Sequence, residues 1–534
     1  MDDQPRTTMS LPQEAAHLSV RALLCCVPLA LASLAAAPDV ARSEECEAEP
    51  GVVQLLLFEG AEIEDLLVAH SVELVDSLPP AYLLATPPES TDLEFLAVLE
   101  QSPLVREAEL AYRTESPEGV QQMTVAAVGG TYQEFRDQGM GNRLRLAEAH
   151  EHTTGEGVLV AFLDTGVFAM HEALSAHLDP RGRDYVDGDD DPEETADGID
   201  GDLDGVADEG TGHGTMVAGI VHLVAPGAKL LPVRVLDDEG RGLTFQVAKG
   251  IRYAIETGAH VVNLSFGLDC ESAILREEIT RATDAGLILV AAAGNDGSDT
   301  PIYPANDPLA ICVAGLDSLD IKATFSSYGE SVDISAPAVG VYSTFKDGGY
   351  GIGDGTSFAA PIVSGQAALV RATNPDLSRE EVEAIMGAGV VDIYGIPENA
   401  EYVDFLGSGR VDAFLTWSLV PASADVDAVE SGPRLRAYPN PSPAGGWVTV
   451  ELVRTGTTAD MDTRVGAASS TAGAGGLSIH DATGRLVRRL GEPVTPGRYG
   501  WDGRDESGRI VPSGLYWVRD PQADTRLQVV ILPR

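Results

Sequence analysis

Apolar positions along the chain change their spacing twice, and each spacing predicts a different architecture. From Val52 the order is a strand (VVQLLLFEG), an amphipathic helix (EIEDLLVAH), two strands about a turn (SVELVDSLPPAYLLATPP), a second helix (DLEFLAVLEQSP) and a strand near Val105 to Tyr112. That βαββαβ order predicts a ferredoxin-like α+β unit over residues 51–114. Residues 115–141 carry little periodicity and read as a connector. From 142 to 419, segments that are apolar on both faces (VLVAFLD, KLLPVRVL, HVVNLSF, LILVAAAG, ICVAG) alternate with helical ones (TFQVAKGIRYAIETG, AILREEITRATDAG, SFAAPIVSGQAALVRATN). Strands with no polar face are covered on both sides, so the fold class is α/β, a doubly wound parallel sheet with helices on each face. Residues 420–436 are polar and acidic and read as a linker. In 437–534, short strands such as WVTVELV, GLYWVRD and RLQVVILPR are separated by turn clusters, the pattern of a small β-sandwich. A Thr, Ala, Ser and Gly-rich insert over 455–476 reads as a loop.

The extreme N-terminus adds a compartment. Arg21 precedes an apolar run from Ala22 to Ala37 that Pro38 and Asp39 interrupt, which predicts a signal peptide over residues 1–41 and a secreted or cell-surface protein. The run is short for a membrane span and ends in small residues. Export also changes the cysteine reading. Of five cysteines, Cys25 and Cys26 leave with the signal, and Cys46, Cys270 and Cys312 remain. Either Cys270 and Cys312 form a bridge, which an oxidising compartment permits, or both are small buried residues. The formal net charge of -48 excludes nucleic acid as a partner, and the 44% hydrophobic content excludes wholesale disorder.

Candidate chemistry lies in four segments. In GTSFAAP, Ser357 stands where an apolar helix begins, and there free backbone N–H groups and the helix dipole can stabilise an oxyanion. Such a serine also fits a plain N-cap. As a nucleophile it needs a base within reach. His213, in GTGHGTMVAG, is flanked by small residues that let an imidazole approach a neighbouring segment, and no second histidine stands at zinc-ligand spacing in this motif. Asp164 ends the strand VLVAFLD at the carboxyl edge where α/β sheets place their chemistry; it can fix the tautomer of the base or cap the following turn. AAAGNDG brings Asn295 to the same edge, as an oxyanion donor or as part of a Gly-Asn turn.

DTG, GHGT, AAAGN and GTSFAAP, in this order, resemble the motifs of the subtilisin-like serine proteases, the subtilases, over roughly Arg143 to Leu419. The resemblance implies a secreted serine endopeptidase with Asp164 as acid, His213 as general base, Ser357 as nucleophile and Asn295 as oxyanion donor, and with no cofactor required for the chemistry. It implies polypeptide substrates held in extended form by two backbone edges, Gly240, Arg241 and Gly242 on one side and Ser265, Phe266 and Gly267 on the other. It also implies that residues 51–114 are an inhibitor-like propeptide, an intramolecular partner removed on maturation. Met216 departs from the family, which usually has a second histidine there. After VAGIV the chain runs directly into HLVAPGA, too short for a calcium loop at that place. A non-catalytic secreted scaffold or adhesin on the same fold is the alternative; loss of a triad member would mark it, and none is lost. A G-x-S-x-G elbow, the mark of a different acyl hydrolase, is absent because Ser357 lies in G-T-S-F-A.

Two further features stand outside the motifs. Between Asp184 and Glu209 lie thirteen carboxylates and no basic residue. Within that run Asp200, Asp202, Asp204, Gly205 and Asp208 reproduce the start of a calcium loop, although Thr211 replaces the expected bidentate Glu. Structural calcium and a merely solvated acidic loop are the two readings. The C-terminal segments YPNPSPAGGWVTVEL and YGWDGRDESGRIVPSGLYWVR resemble the sandwich modules of secreted bacterial proteins, including type IX secretion sorting domains. That implies secretion machinery or a cell surface as partner, with Tyr516 and Trp517 as core residues.

Overall fold

The computed structural model describes residues 46–116, 126–201 and 205–421, together with 434–438, 442–443, 448–453, 477–481, 485–490, 498–512, 514–520 and 525–532 of the C-terminal region. The predicted signal peptide, most of the linker, the 455–476 insert, Asp202 and Asp204 lie outside the described residues.

The N-terminal elements follow the predicted order: β1 (Ala48–Leu57), α1 (Ile63–His70), β2 (Leu74–Leu78), β3 (Ala81–Ala85), α2 (Asp92–Leu99) and β4 (Val105–Glu115). Thr91 and Glu94 form a capping box that starts α2, so the orphan N–H groups of its first turn are satisfied locally. The sheet order is β2-β3-β1-β4, with antiparallel pairing throughout. One face of the sheet packs on α1 and α2 through Val53, Leu55, Leu84 and Phe95. The other face contributes Leu56, Ala81, Leu83 and Ala111 to the core of the larger body.

The body is built on β5 (Leu159–Asp164), α3 (His213–Val224), β6 (Lys229–Arg234), β7 (Arg241–Leu243), α4 (Thr244–Thr257), β8 (Val261–Leu264), α5 (Ala273–Asp284), β9 (Ile288–Ala292), β10 (Ala310–Leu316), β11 (Ile334–Pro337), α6 (Thr356–Thr373) and α7 (Arg379–Ala388). Strands β11-β10-β9-β8-β5-β6 form a parallel sheet, extended at its edges by short pairs at Arg410–Val411, Val390–Val391 and Arg183–Asp184. Side chains of a strand alternate between faces. On β5, Val160 and Phe162 therefore enter the layer shared with α3 and α6, and Leu159, Ala161 and Leu163 enter the layer shared with α4 and α5. Because β5 is flanked by β6 on one side and β8 on the other, strand order reverses beside it, and its carboxyl end is the switch point of the sheet.

Three local readings change. The segment expected to be a plain connector contains helical turns at Tyr132–Arg136 and Gly139–Arg143, because Phe135 is fully buried and anchors them. Strand β11 and the hairpin Val341–Thr344 with Tyr350–Gly353 add to the expected set; Ser335 and Pro337 had broken the apolar pattern over β11. Cys270 pairs with Cys46 across 224 residues, with Cα atoms 6.0 Å apart, and Cys312 is a buried free thiol on β10. Cys312 faces the layer shared with α4 and α5, and Cys270, which packs against the same layer, is already engaged by Cys46. Met216, in the place of the family's histidine, is wholly buried in the layer under α3.

In the C-terminal region Arg434–Tyr438, Val448–Val453 and Arg498–Trp501 form one antiparallel sheet, and five strands ending at Thr525–Leu532 form a second. Trp501 and Tyr516 meet edge to face at 5.3 Å in the core. Trp517, next along the strand, points to the other face and is half-buried, so only Tyr516 of the predicted pair is a core residue. Among the described residues no helix is long and apolar enough to cross a membrane.

Candidate active site

The last residue of β5 is Asp164, fully buried. Its Oδ1 accepts hydrogen bonds from the backbone N–H of Thr165 at 2.8 Å and from His213 Nδ1 at 2.7 Å. A carboxylate only accepts, so the imidazole carries its proton on Nδ1 and leaves Nε2 as the basic nitrogen. Glycine lets the two segments meet. A Cβ at Gly214 would stand 2.1 Å from the Gly166 carbonyl and 3.0 Å from Asp164 Oδ1, and Gly212 has φ +103 with the Phe345 ring in the space a side chain would take. These constraints account for the GHG sequence around His213.

Ser357 is the second residue of α6, and Pro361 lies four residues on in the same helix. Proline has no N–H to give to the Ser357 carbonyl, and the hydroxyl of Ser265 donates to that carbonyl instead, at 2.8 Å. Asn263 Nδ2 in turn donates to Ser265 Oγ at 2.9 Å, and Ser364 donates to Asn263 Oδ1 at 2.9 Å. The nucleophile's own hydroxyl donates to the Ser265 carbonyl at 3.1 Å. The rings of His213 and Phe358, the neighbour of Ser357, lie 5.4 Å apart, so the starts of α3 and α6 are adjacent. Asn263 and Ser364 were missed in the sequence; a single Asn inside the apolar strand HVVNLSF was the available signal.

Asn295 follows β9 after Gly294, whose φ is +105. Its Oδ1 accepts from the N–H and the hydroxyl of Thr356, both at 2.9 Å. With the carbonyl end held there, the rotation of the amide is fixed and the NH2 is its donating end.

Both predicted edges carry a paired strand, and that strand is the end of β4. Thr114 and Glu115 stand opposite Gly242 and Arg241, and the Ser116 N–H donates to the Gly240 carbonyl at 2.9 Å. On the other side Glu115 and Gly267 bridge antiparallel, and Thr114 Oγ1 donates to the Gly267 carbonyl at 3.0 Å. Phe266 lies between them with its ring fully buried in the core, so only its backbone belongs to the edge.

The acidic run gathers differently from the expected loop. Asp200 Oδ2 accepts from the Gly205 N–H at 3.0 Å, while carboxylate oxygens of Asp197, Asp208 and Asp238 lie within 4.8 Å of one another. Asp238 comes from the turn after β6, which no spacing within the run could reveal. Burial pushes the Asp238 carboxyl up, whereas the Gly198 N–H pulls Asp208 down.

Residues 155–390 match the description Subtilase family. Subtilisin BL of Lederbergia lenta is 36% identical over 269 residues, which are 48% of this chain and 93% of that protein. Thermitase of Thermoactinomyces vulgaris is 39% identical over 238 residues, covering 43% of this chain and 80% of that protein. The crystal structure of fervidolysin from Fervidobacterium pennivorans, a keratinolytic enzyme related to subtilisin, superposes with a TM-score of 0.59 at 20% identity. It covers 91% of this chain and 78% of that one, a likeness of fold.

Proposed function

We propose, since this chain belongs to the subtilase family and is a serine-type endopeptidase, that Asp164, His213 and Ser357 are its triad and Asn295 its oxyanion donor. The observation that carries the assignment is the 2.7 Å bond from His213 Nδ1 to Asp164 Oδ1, made beside the helix start that holds Ser357. His213 Nε2 takes the proton as the Ser357 oxygen attacks a peptide carbonyl, and the imidazolium gains from the Asp164 charge. The negative oxygen of the tetrahedral intermediate is met by the Asn295 NH2 and by the backbone N–H at the start of α6. His213 then protonates the leaving amine, and water hydrolyses the acyl-enzyme. Substrates are polypeptides, held as a third strand between 240–242 and 265–267.

In this reading residues 51–114 form a ferredoxin-like propeptide that inhibits by occupying those edges, 142–419 form the catalytic domain, and 437–534 form a β-sandwich. Export rests on the signal-like start of the sequence, and the C-terminal module would meet secretion machinery or a cell surface. Calcium suits the oxygens of Asp197, Asp208 and Asp238, hard ligands that share one corner of the acidic run; its part is structural. A fluorophosphonate probe tests the triad: the adduct is expected on Ser357 in the folded protein and lost in His213→Ala. Labelling elsewhere, or unchanged labelling of His213→Ala, overturns the assignment.

A further inference from the structure

Within the acidic run, the Glu194 carboxylate belongs to neither a solvated loop nor the proposed cation site. Residues 192–194 lie against the exit of β5: the Val167 N–H donates to the Pro192 carbonyl at 2.9 Å, and the Ala169 N–H donates to Glu193 Oε2 at 3.1 Å. The approach is close enough that a Cβ at Gly166 would meet the Pro192 carbonyl at 2.6 Å. Glu194 is thereby aimed at the start of α3. Its Oε1 accepts from Thr165 Oγ1 at 2.7 Å, from the Gly212 N–H at 3.1 Å and from the Thr215 N–H at 3.3 Å, and its Oε2 accepts from the Thr215 hydroxyl.

Those donors bracket both residues of the acid–base pair. Thr165 follows Asp164 and gives it a backbone hydrogen bond, and Thr165 Oγ1 also accepts from the Gly214 N–H at 3.0 Å. Thr215 Oγ1 accepts from the Phe168 N–H at 2.8 Å. Residues 212, 214 and 215 are thus tied to Glu194 directly or through Thr165, with His213 between them. The N-cap of α3 is Gly212, which has no side chain to satisfy the orphan N–H groups, and Glu194 supplies the missing acceptor together with a negative charge at the positive end of the helix.

We propose that Glu194 is a positioning residue for catalysis: it fixes the start of α3 against the end of β5, so that His213 keeps its place between Asp164 and Ser357. This rests on the triad reading and adds to it a residue from a segment the motifs do not include. All four partners donate to the Glu194 carboxyl group, which is the hydrogen bonding of an ionised acid. Burial, joined by the charge of Asp164, raises this carboxyl above its ordinary value, against the pull of the Thr215 and Thr165 hydroxyls and the Thr215 N–H. The charged groups around it are Asp164 on β5, His213 on α3, Glu193 beside it and Arg234 on β6, whose guanidinium is engaged by Asp184 and Asp187. A negative charge at this place favours the imidazolium form of His213.

The test is steady-state hydrolysis of a chromogenic peptide anilide against pH, by the mature protein and by Glu194→Gln, Thr165→Val and Ser357→Ala. Ser357→Ala must be inactive for the triad reading to stand, which separates its failure from failure of this inference. Glu194→Gln is expected to lower kcat by about tenfold to a hundredfold, to leave KM within about twofold, and to move the acid limb of kcat/KM to lower pH. Thr165→Val is expected to lower kcat without the pH shift, and it carries the test alone if the glutamine variant does not fold. A folded Glu194→Gln with wild-type kcat and an unmoved acid limb overturns the proposal, as does a wild-type kcat in Thr165→Val.

Discussion

Glu115 and Gly267 exchange both backbone hydrogen bonds, at 3.1 Å from the Glu115 N–H and 3.0 Å from the Gly267 N–H. Paired on its other side with Arg241 and Gly242, the end of β4 is an extended strand lying between the two edges proposed to hold substrate. A fragment of residues 46–116 is therefore expected to inhibit the mature enzyme competitively at micromolar concentration. Glu109 strengthens that contact by accepting from Ser272 Oγ, the Ala273 N–H and the Ile274 N–H at the start of α5. Hydrogen bonds to a charged group contribute about 1.5–3 kcal/mol, so Glu109→Ala should weaken inhibition about tenfold or more. A fragment without effect on hydrolysis would mean that the module is an accessory domain.

The Cys46 to Cys270 disulfide makes a second prediction about maturation. A single cut after residue 116 leaves the N-terminal fragment joined to the body, at an effective concentration on the order of millimolar for a short link, so the mature, uninhibited enzyme forms only once the bridge is reduced or the fragment is degraded. On a denaturing gel the two pieces should migrate together without reductant and apart after a dithiol reductant. Cys46→Ser should release the fragment without any reductant. Release of the wild-type fragment under oxidising conditions contradicts this.

How far the sequence was legible follows from the range of the interactions involved. β5, β8 and β9 were readable because a strand covered on both faces is apolar at every position, and Asp164 and Asn295 stand at or just beyond strand ends. Ser357 and His213 were readable because glycine and proline around them leave little conformational choice. What stayed hidden depends on contacts between distant segments. Asp238 joins Asp208 from 30 residues further along the chain, Cys46 reaches Cys270, and Glu194 has no local mark separating it from its twelve acidic neighbours in the run. Trp517 was misplaced by one residue of strand alternation.

His222, on the last turn of α3, predicts a pH dependence of stability. Burial first, and then the nearby His177, push its pKa down to about 3. The unfolded chain takes up a proton near pH 6.5 while the folded chain does not, so stability falls as pH drops from about 6.5 toward 3, by at most about 1.4 kcal/mol per pH unit for this group. His222→Phe should flatten the fall of melting temperature between pH 6 and 4. Identical slopes for variant and wild type would remove His222 from the account.

Calcium is expected to raise the melting temperature, since an ion bound only by the folded state stabilises it by mass action. Asp208→Asn should shrink that rise, because it removes one of the three convergent carboxylates. A melting temperature indifferent to millimolar calcium and to chelator speaks for a solvated acidic loop.

The central claim is that Ser357 is the nucleophile of an endopeptidase, and digestion of denatured casein by purified mature protein tests it most directly. The Ser357→Ala substitution deletes one hydroxyl from a fully buried site and little volume, so the fold should persist. Cleavage by the wild type, with a loss on the order of 10⁶-fold in a folded Ser357→Ala protein, is the predicted result, the size recorded for this mechanism in subtilisin. Casein hydrolysis that continues at the wild-type rate in Ser357→Ala would contradict the assignment.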